Sequence, residues 1–356
     1  MSDQEAVLDI QGLSVDYGVG ADAVHAVVDV SLRLARGEVL GLAGESGSGK
    51  STLAYAVTRL LRAPGVITGG QAWFAVDDGP AVDLMAADAH QLRKLRWSEI
   101  SVVFQSAMHA LNPVMRIGRQ LSDVIRAHRP GLSSSELKQR AVRLLGLVGI
   151  DGDRLGSYPH ELSGGMRQRV MIAMALALEP KVVIMDEPTT ALDVVTQREI
   201  LEELIGLRDR LGFSVLFITH DLSLLIELAD SIAVMYAGRL VERAPARTLF
   251  DSPCHPYTYG LRGSFPALSG ERSRMTGIPG SPPDLRNVPS GCAFHPRCGY
   301  ALEQCRHDTP KLLQLAGGTA DRSVACWLHD GDRTPPAELT DHPPVVEAGN
   351  TVGGAA

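Results

Sequence analysis

The chain has 356 residues, 45% of them hydrophobic, enough for one large domain with an appendage or for two modest ones. Its formal charge of −7 disfavours a general nucleic-acid binder, which would carry a basic surface. No apolar stretch reaches the roughly 18–20 residues needed to span a bilayer, and the acidic start Met1-Ser2-Asp3-Gln4-Glu5 lacks a signal core; the expected location is the cytoplasm, with any membrane work done through a partner.

Val7–Val15 and Val24–Leu34 alternate loosely between apolar and polar residues and read as strands, with Gly37-Glu38 as a turn. Val39–Ala43 is a short apolar run that fits a buried strand feeding a glycine-rich loop and then a helix over Thr52–Leu61. The middle of the chain reads as helical. Ile117, Leu121, Val124 and Ile125 share one face, and Ser133-x-x-Glu136 resembles a capping box ahead of Leu137, Ala141, Leu144, Leu145 and Val148. Strand-like runs return at Lys181–Met185 and Ser214–Thr219, with a helix over Thr196–Leu211 between them; the alternation predicts a largely parallel sheet covered on both faces. Ser231–Tyr236 and Arg239–Val241 fit a hairpin around Ala237-Gly238. Residues 245–300 are proline-rich with little periodicity, and residues 331–356 read as a disordered tail.

Gly44-Glu45-Ser46-Gly47-Ser48-Gly49-Lys50-Ser51 matches G-x-x-x-x-G-K-[ST] between a strand and a helix, the context a P-loop requires. Glycines let backbone N–H groups curl around phosphate oxygens, and the helix start, from Ser51 and Thr52, adds positive potential. Lys50 is expected to reach the β- and γ-phosphates of ATP, and the Ser51 hydroxyl to bind Mg2+. The apolar run Val182–Met185 ends in Asp186-Glu187. A carboxylate at a strand end beside a phosphate loop suits Mg2+, which Asp186 would hold through water; Glu187, one residue on, could polarise the attacking water as general base.

Leu162-Ser163-Gly164-Gly165-Met166-Arg167-Gln168-Arg169 closely resembles the signature sequence of the ATPases of ATP-binding cassette (ABC) transporters. It would act as a second anion trap, a helix start with free N–H groups at Ser163, Gly164 and Gly165. Further elements of that family follow in order. Tyr17 matches the aromatic residue that stacks on adenine, and Gln105 the glutamine that senses Mg2+ and water. Asp193, in Thr190-Ala191-Leu192-Asp193, matches the loop at the dimer interface, and His220 the histidine on the γ-phosphate. Over about residues 6–243 the resemblance implies an α/β P-loop core with an antiparallel β-subdomain and a helical insertion at about 106–165. It also implies a head-to-tail dimer in which the P-loop of one subunit and the signature of the other clamp each ATP.

Phe104–Pro113, Tyr158-Pro159-His160-Glu161, His255-Pro256-Tyr257-Thr258 and the stretch Gly291–Cys298 are similar to oligopeptide and dipeptide permease ATPases. That resemblance implies a small irregular C-terminal extension over 244–330 and a peripheral place on the cytoplasmic face of the membrane. The implied partners are two membrane permease subunits, a solute-binding protein and a second, related ATPase. Importers of nickel, glutathione and other small solutes share the pattern, so the cargo stays open.

Four of the five cysteines, Cys292, Cys298, Cys305 and Cys326, lie within 35 residues; Cys254 stands apart, and His295, His307 and His329 read as surface residues. No C-x-x-C pair occurs, which weakens a zinc reading, and the gaps do not match the common ferredoxin run either. The family resemblance favours a structural [4Fe–4S] cluster, with zinc as the alternative. A non-transport ABC ATPase acting on nucleic acid or ribosomes is the rival from another class. Only about 120 residues separate Gly44 from Ser163, without heptads, and the chain has a single cassette.

Overall fold

The computed structural model describes residues 5–77, 79–104, 110–189, 192–264, 277–315, 322–331 and 333–339. Among the described residues, two sheets form the frame. The first is antiparallel and four-stranded, in the order β2 (Val24–Ala35), β1 (Ala6–Tyr17), β4 (Gly65–Phe74), β5 (Val82–Asp83). The second has eight strands. Its centre is parallel, running β9 (Ser231–Tyr236), β3 (Val39–Ala43), β8 (Ser214–Ile218), β7 (Val182–Asp186), β6 (Ile100–Val103). Beyond β9 it continues antiparallel through β10 (Arg239–Pro245), β12 (Ser323–Val324) and β11 (Leu313–Gln314).

Every residue of β3, β7 and β8 is buried, as expected for parallel strands covered on both faces. Their alternation splits the core in two. Leu40, Leu42, Val182, Ile184, Leu216 and Ile218 face helix α1 (Lys50–Val57) and the antiparallel sheet. Val39, Val183, Met185, Val215 and Phe217 face the opposite layer, which contains α3 (Ile117–His128), α4 (Ser134–Leu147), α5 (Gly164–Ala175), α6 (Val194–Leu211) and α7 (Leu222–Leu228). The short helix α2 (Ala89–Leu95) borders the first core through Leu92. The Ser133/Glu136 box caps α4: Glu136 N donates to Ser133 Oγ at 3.3 Å, and Ser133 N donates to Glu136 Oε2 at 2.8 Å. Helix α1 stops at Val57, short of the expected Leu61, because Arg59 takes a left-handed φ of 55° that no helix continues.

The C-terminal extension is no loose appendage. Its strand β12 pairs with β10, and helices α8 (Ala246–Asp251) and α9 (Pro256–Gly263) lead into tight turns. Tyr236 of β9 meets Tyr257 and Phe294 at ring distances of 4.6 and 5.3 Å. Glu242 of β10 is fully buried and accepts from Cys254 N at 2.7 Å and His255 N at 2.9 Å. Removing that carboxylate in Glu242→Ala strands two buried N–H groups. The loss should be about 2–5 kcal/mol of stability, read as a lower midpoint in chemical denaturation; an unchanged midpoint would refute the role.

Two expectations for this region change. Residues 333–339, assigned to a disordered tail, include a helical turn at Ala337–Leu339 with Leu339 fully buried, while 340–356 lie outside the described residues. His329, expected at the surface, is half-buried and bonds Cys254 O at 2.8 Å; burial holds its pKa below the ordinary value.

Candidate nucleotide site

Neighbouring parallel strands β3, β8 and β7 end side by side, so the loops that follow them converge, the usual position of a ligand site in an open α/β sheet. Residues Gly44 to Gly49 join β3 to α1. Gly44 and Gly49 have φ of 149° and 101°, and a Cβ on either would lie 2.3 Å from a carbonyl oxygen, of Met235 and Ala26 respectively. Only glycine fits at these two points, so the loop can wind tightly enough to turn its N–H groups inward. It borders a cavity of about 410 Å³ lined by Glu45, Ser46, Gly47 and Ser48 on one side and by Pro282–Arg286 of the extension on another.

Lys50 folds back over the loop. Its Nζ donates to Gly44 O at 2.7 Å, Glu45 O at 2.9 Å and Ser48 Oγ at 3.2 Å. Burial lowers its pKa to about 8, against the opposing pull of Glu187, Asp186 and Glu45. Ser51 Oγ donates to Asp186 Oδ1 at 2.8 Å. Asp186, at the end of β7, is buried, which pushes its carboxyl above the usual range. Its Oδ2 is buried with no hydrogen bond of ordinary length. A hydroxyl beside a buried carboxylate forms the kind of hard-oxygen pair that suits Mg2+. The site also contains Tyr55, which the sequence reading missed. It lies one turn after Ser51, its hydroxyl lies against Asp186, and burial beside that carboxylate drives its pKa up to about 12.

Glu187 follows with a left-handed φ of 45°, a strained conformation in a non-glycine residue, held by its N–H donating to Ile218 O at 2.9 Å. Its Oε1 lies 3.1 Å from Nδ1 of His220, the residue two past the end of β8. The structure therefore brings Gly44 to Thr52, Asp186, Glu187 and His220 together. Tyr17 joins them through its hydroxyl, 3.4 Å from Thr52 Oγ1.

The other expected residues stand elsewhere. Ser163 caps α5, its Oγ accepting from Met166 N at 3.2 Å, with Gly164 and Gly165 in the first turn. Thr196, at the start of α6, would touch a Cβ on Gly165 at 2.8 Å. Asp193 caps α6 and accepts from Thr196 N at 3.0 Å, which holds its carboxyl below the usual range. Among the described residues no hydrogen bond ties Ser163, Gly164, Gly165 or Asp193 to the cluster around Lys50. Gln105, Thr190 and Ala191 lie outside the described residues.

In the extension, Cys292, Cys298, Cys305 and Cys326 line one small cavity as free thiols, and burial pushes Cys292 up to about 11 and Cys326 up to about 12. Among the described residues, however, no group of three or more His, Cys, Asp or Glu side chains is placed to hold a metal ion. The expectation of a metal-binding extension is thus not supported; a mononuclear zinc site needs four ligands about 2.0–2.3 Å from one point. Cys254 is not in that cavity; its Sγ lies 2.8 Å from an Arg322 nitrogen.

The match to known proteins follows the same division. Residues 27–190 match the family described as ABC transporter, and residues 241–305 match the oligopeptide/dipeptide transporter C-terminal region. A protein of Brucella abortus (strain 2308) named as a peptide import ATP-binding protein is 45% identical over 318 residues, covering 89% of this chain and 94% of its own. The dipeptide transport ATP-binding protein DppD of Caldanaerobacter subterraneus subsp. tengcongensis is 42% identical over 328 residues, 92% of this chain and 98% of its own. Among solved structures, the ATP-binding cassette MJ0796, a dimer in a post-hydrolysis state with ADP and Pi, matches with a TM-score of 0.58 at 28% identity over 67% of this chain and 99% of that one. The cbiO1 component of the cbiONQ transporter of Clostridium perfringens matches with a TM-score of 0.59 at 30% identity over 69% of this chain and 91% of that one. Glycine cradle, buried lysine and paired carboxylates thus sit on a cassette fold shared with these proteins, and the chain belongs to the ATP-hydrolysing subunits of ABC transporters, in the oligopeptide/dipeptide branch.

Proposed function

We propose that this chain powers the import of peptides, or of similarly small solutes, by hydrolysing ATP on the cytoplasmic face of the membrane. The observation that carries the reading is the convergence of Lys50, Ser51, Asp186, Glu187 and His220 on one loop cluster in a chain that also matches a peptide-transporter C-terminal region. Among the described residues no helix is long and apolar enough to cross a membrane.

In this reading Tyr17 stacks on adenine and the loop from Gly44 to Thr52 holds the phosphates; Ser51, Gln105 and, through water, Asp186 would hold Mg2+, which would offset charge on the phosphates. Glu187 draws a proton from water as its oxygen attacks the γ-phosphorus; the bond to the bridging oxygen breaks and ADP leaves with that electron pair. His220, against Glu187 Oε1, orients the carboxylate and the γ-phosphate. Ser163, Gly164 and Gly165 serve a partner's nucleotide, as free N–H groups at the capped start of α5. A second ATPase subunit, as a heterodimer, closes both sites through Asp193 and the adjacent Val194 and Val195, which are 77% and 69% exposed. Opening and closing of that pair rocks two permease subunits fed by a solute-binding protein.

For the thiol cavity we propose a [4Fe–4S] cluster in place of zinc. Four thiols facing one cavity suit a cluster, which spreads its ligands wider than a single ion does. The cavity, about 10 Å³, must open to admit it. The cluster would tie down a segment with little core of its own. Iron and acid-labile sulfide in equal amounts, with absorbance under anaerobic conditions, are the expected findings; their absence removes the cluster.

The test of the function is isolation of the membrane complex. We expect two integral membrane proteins, a second ATPase and a peptide-loaded binding protein to stimulate ATP turnover in proteoliposomes and drive uptake. Co-isolation with nucleic acid or ribosomes, or turnover indifferent to the loaded binding protein, would overturn it. Uptake of nickel or glutathione in place of peptide would change the cargo alone.

A further inference from the structure

The C-terminal extension reaches the phosphate loop through two residues, Arg297 and Tyr257. Arg297 lies between Cys292 and Cys298, 252 positions beyond Glu45. Its side chain is only 7% exposed. Nη1 and Nη2 grip the two oxygens of Glu45 at 2.7 and 3.0 Å, a two-pronged contact. The guanidinium is itself fixed: Nε donates to Pro279 O at 2.8 Å, and Nη1 donates to Tyr236 OH at 3.2 Å. A second tether acts on the same loop residue, since Glu45 N donates to the Tyr257 hydroxyl at 2.8 Å. Glu45 thus has its side chain held by one part of the extension and its backbone by another, while its carbonyl receives Lys50.

We infer that Arg297 is a positioning residue for ATP binding, through which the C-terminal extension sets the affinity of the phosphate loop for nucleotide. This rests on the reading of Gly44 to Ser51 as the phosphate cradle. Two physical effects point the same way. A carboxylate inside a cradle for a triphosphate repels it, and the fork of Arg297 neutralises Glu45. Between Gly44 and Gly47 the loop is also intrinsically free to sample other conformations, and two tethers at Glu45 remove much of that freedom before nucleotide arrives. Both effects act on binding. Arg297 does not touch the carboxylates that carry out the chemistry, so the rate at saturating ATP is left alone.

The test uses the full chain, with equilibrium titration of a fluorescent methylanthraniloyl-ATP and steady-state kinetics in the assembled complex. Arg297→Met keeps the aliphatic stem that packs in the extension. It should raise both the dissociation constant and KM for ATP about tenfold while kcat stays within about twofold. Arg297→Lys, with one prong, should fall between. Glu45→Gln combined with Arg297→Met should bind nucleotide more tightly than Arg297→Met alone, because the repelling charge has gone. Wild-type affinity in Arg297→Met, or a double variant no tighter than the single, overturns the inference. If Arg297→Met fails to fold, Arg297→Lys decides: affinity equal to wild type overturns the inference, and an intermediate loss that Glu45→Gln relieves supports it. Lys50→Ala separates the two levels. If it retains nucleotide, the phosphate-loop reading fails; if it loses nucleotide while the Arg297 variants do not, only this inference fails.

Discussion

Glu187→Gln should lower the rate of ATP hydrolysis by on the order of 10²–10⁴-fold, the range for loss of a general base, while leaving nucleotide affinity within a few-fold. The argument is geometric. Glu187 is held at a left-handed φ of 45° by its N–H bond to Ile218 O, so its carboxylate is aimed by the backbone of two neighbouring strands. The amide keeps the shape and can still meet His220 Nδ1, now 3.1 Å away, but it cannot take a proton from water. With binding intact and the chemical step blocked, ATP-loaded pairs with the second ATPase should accumulate, visible as a near-doubling of mass in light scattering of the mixed subunits on adding Mg-ATP. His220→Ala should slow turnover less, because it removes orientation and leaves the base in place. If the assembled complex carrying Glu187→Gln still hydrolyses ATP within about tenfold of the wild-type rate, Glu187 is not the base.

How far this site could be read from sequence depends on the range of each interaction. Gly44 to Ser51 was legible because the apolar run of β3 and the glycine spacing are local, and the structure shows why glycine is required at Gly44 and Gly49. Asp186-Glu187 was legible because β7 is apolar throughout and ends abruptly in charge. The capping box fixed the start of α4 for the same local reason. β4 was invisible: Gly65, Gly69 and Gly70 spoil its alternation, and its place comes from pairing with β1. Tyr55 carries no local signal of its role; only the proximity of β7 turns its hydroxyl into a partner for Asp186. The Arg297–Glu45 pair joins segments 252 residues apart, which no local pattern encodes. Four cysteines in 35 residues implied convergence, and they do line one cavity, yet spacing alone could not tell a cavity from a formed ion site.

Lys50→Ala should cost about 2–5 kcal/mol of nucleotide binding, on the order of 30- to 5,000-fold, the penalty for removing one partner of a buried charged contact. Lys50 is 5% exposed, and its Nζ donates to Gly44 O, Glu45 O and Ser48 Oγ. Burial brings its pKa down to about 8 from 10.5, so in the free chain its charge is only partly kept in mildly alkaline solution. Two consequences follow with opposite signs. For folding, the unfolded chain binds more protons than the folded one between about 8 and 10.5, so this group makes the free protein more stable as pH rises through that window. For binding, the triphosphate needs the charged amine, so nucleotide must drive proton uptake, and affinity should fall above about 8 by up to tenfold per pH unit. The increase in melting temperature produced by Mg-ATP should therefore shrink steadily as pH is raised above 8 and be small at every pH in Lys50→Ala. A wild-type shift that stays constant across that range would mean that Lys50 keeps its proton in the free chain and that burial does not control its charge.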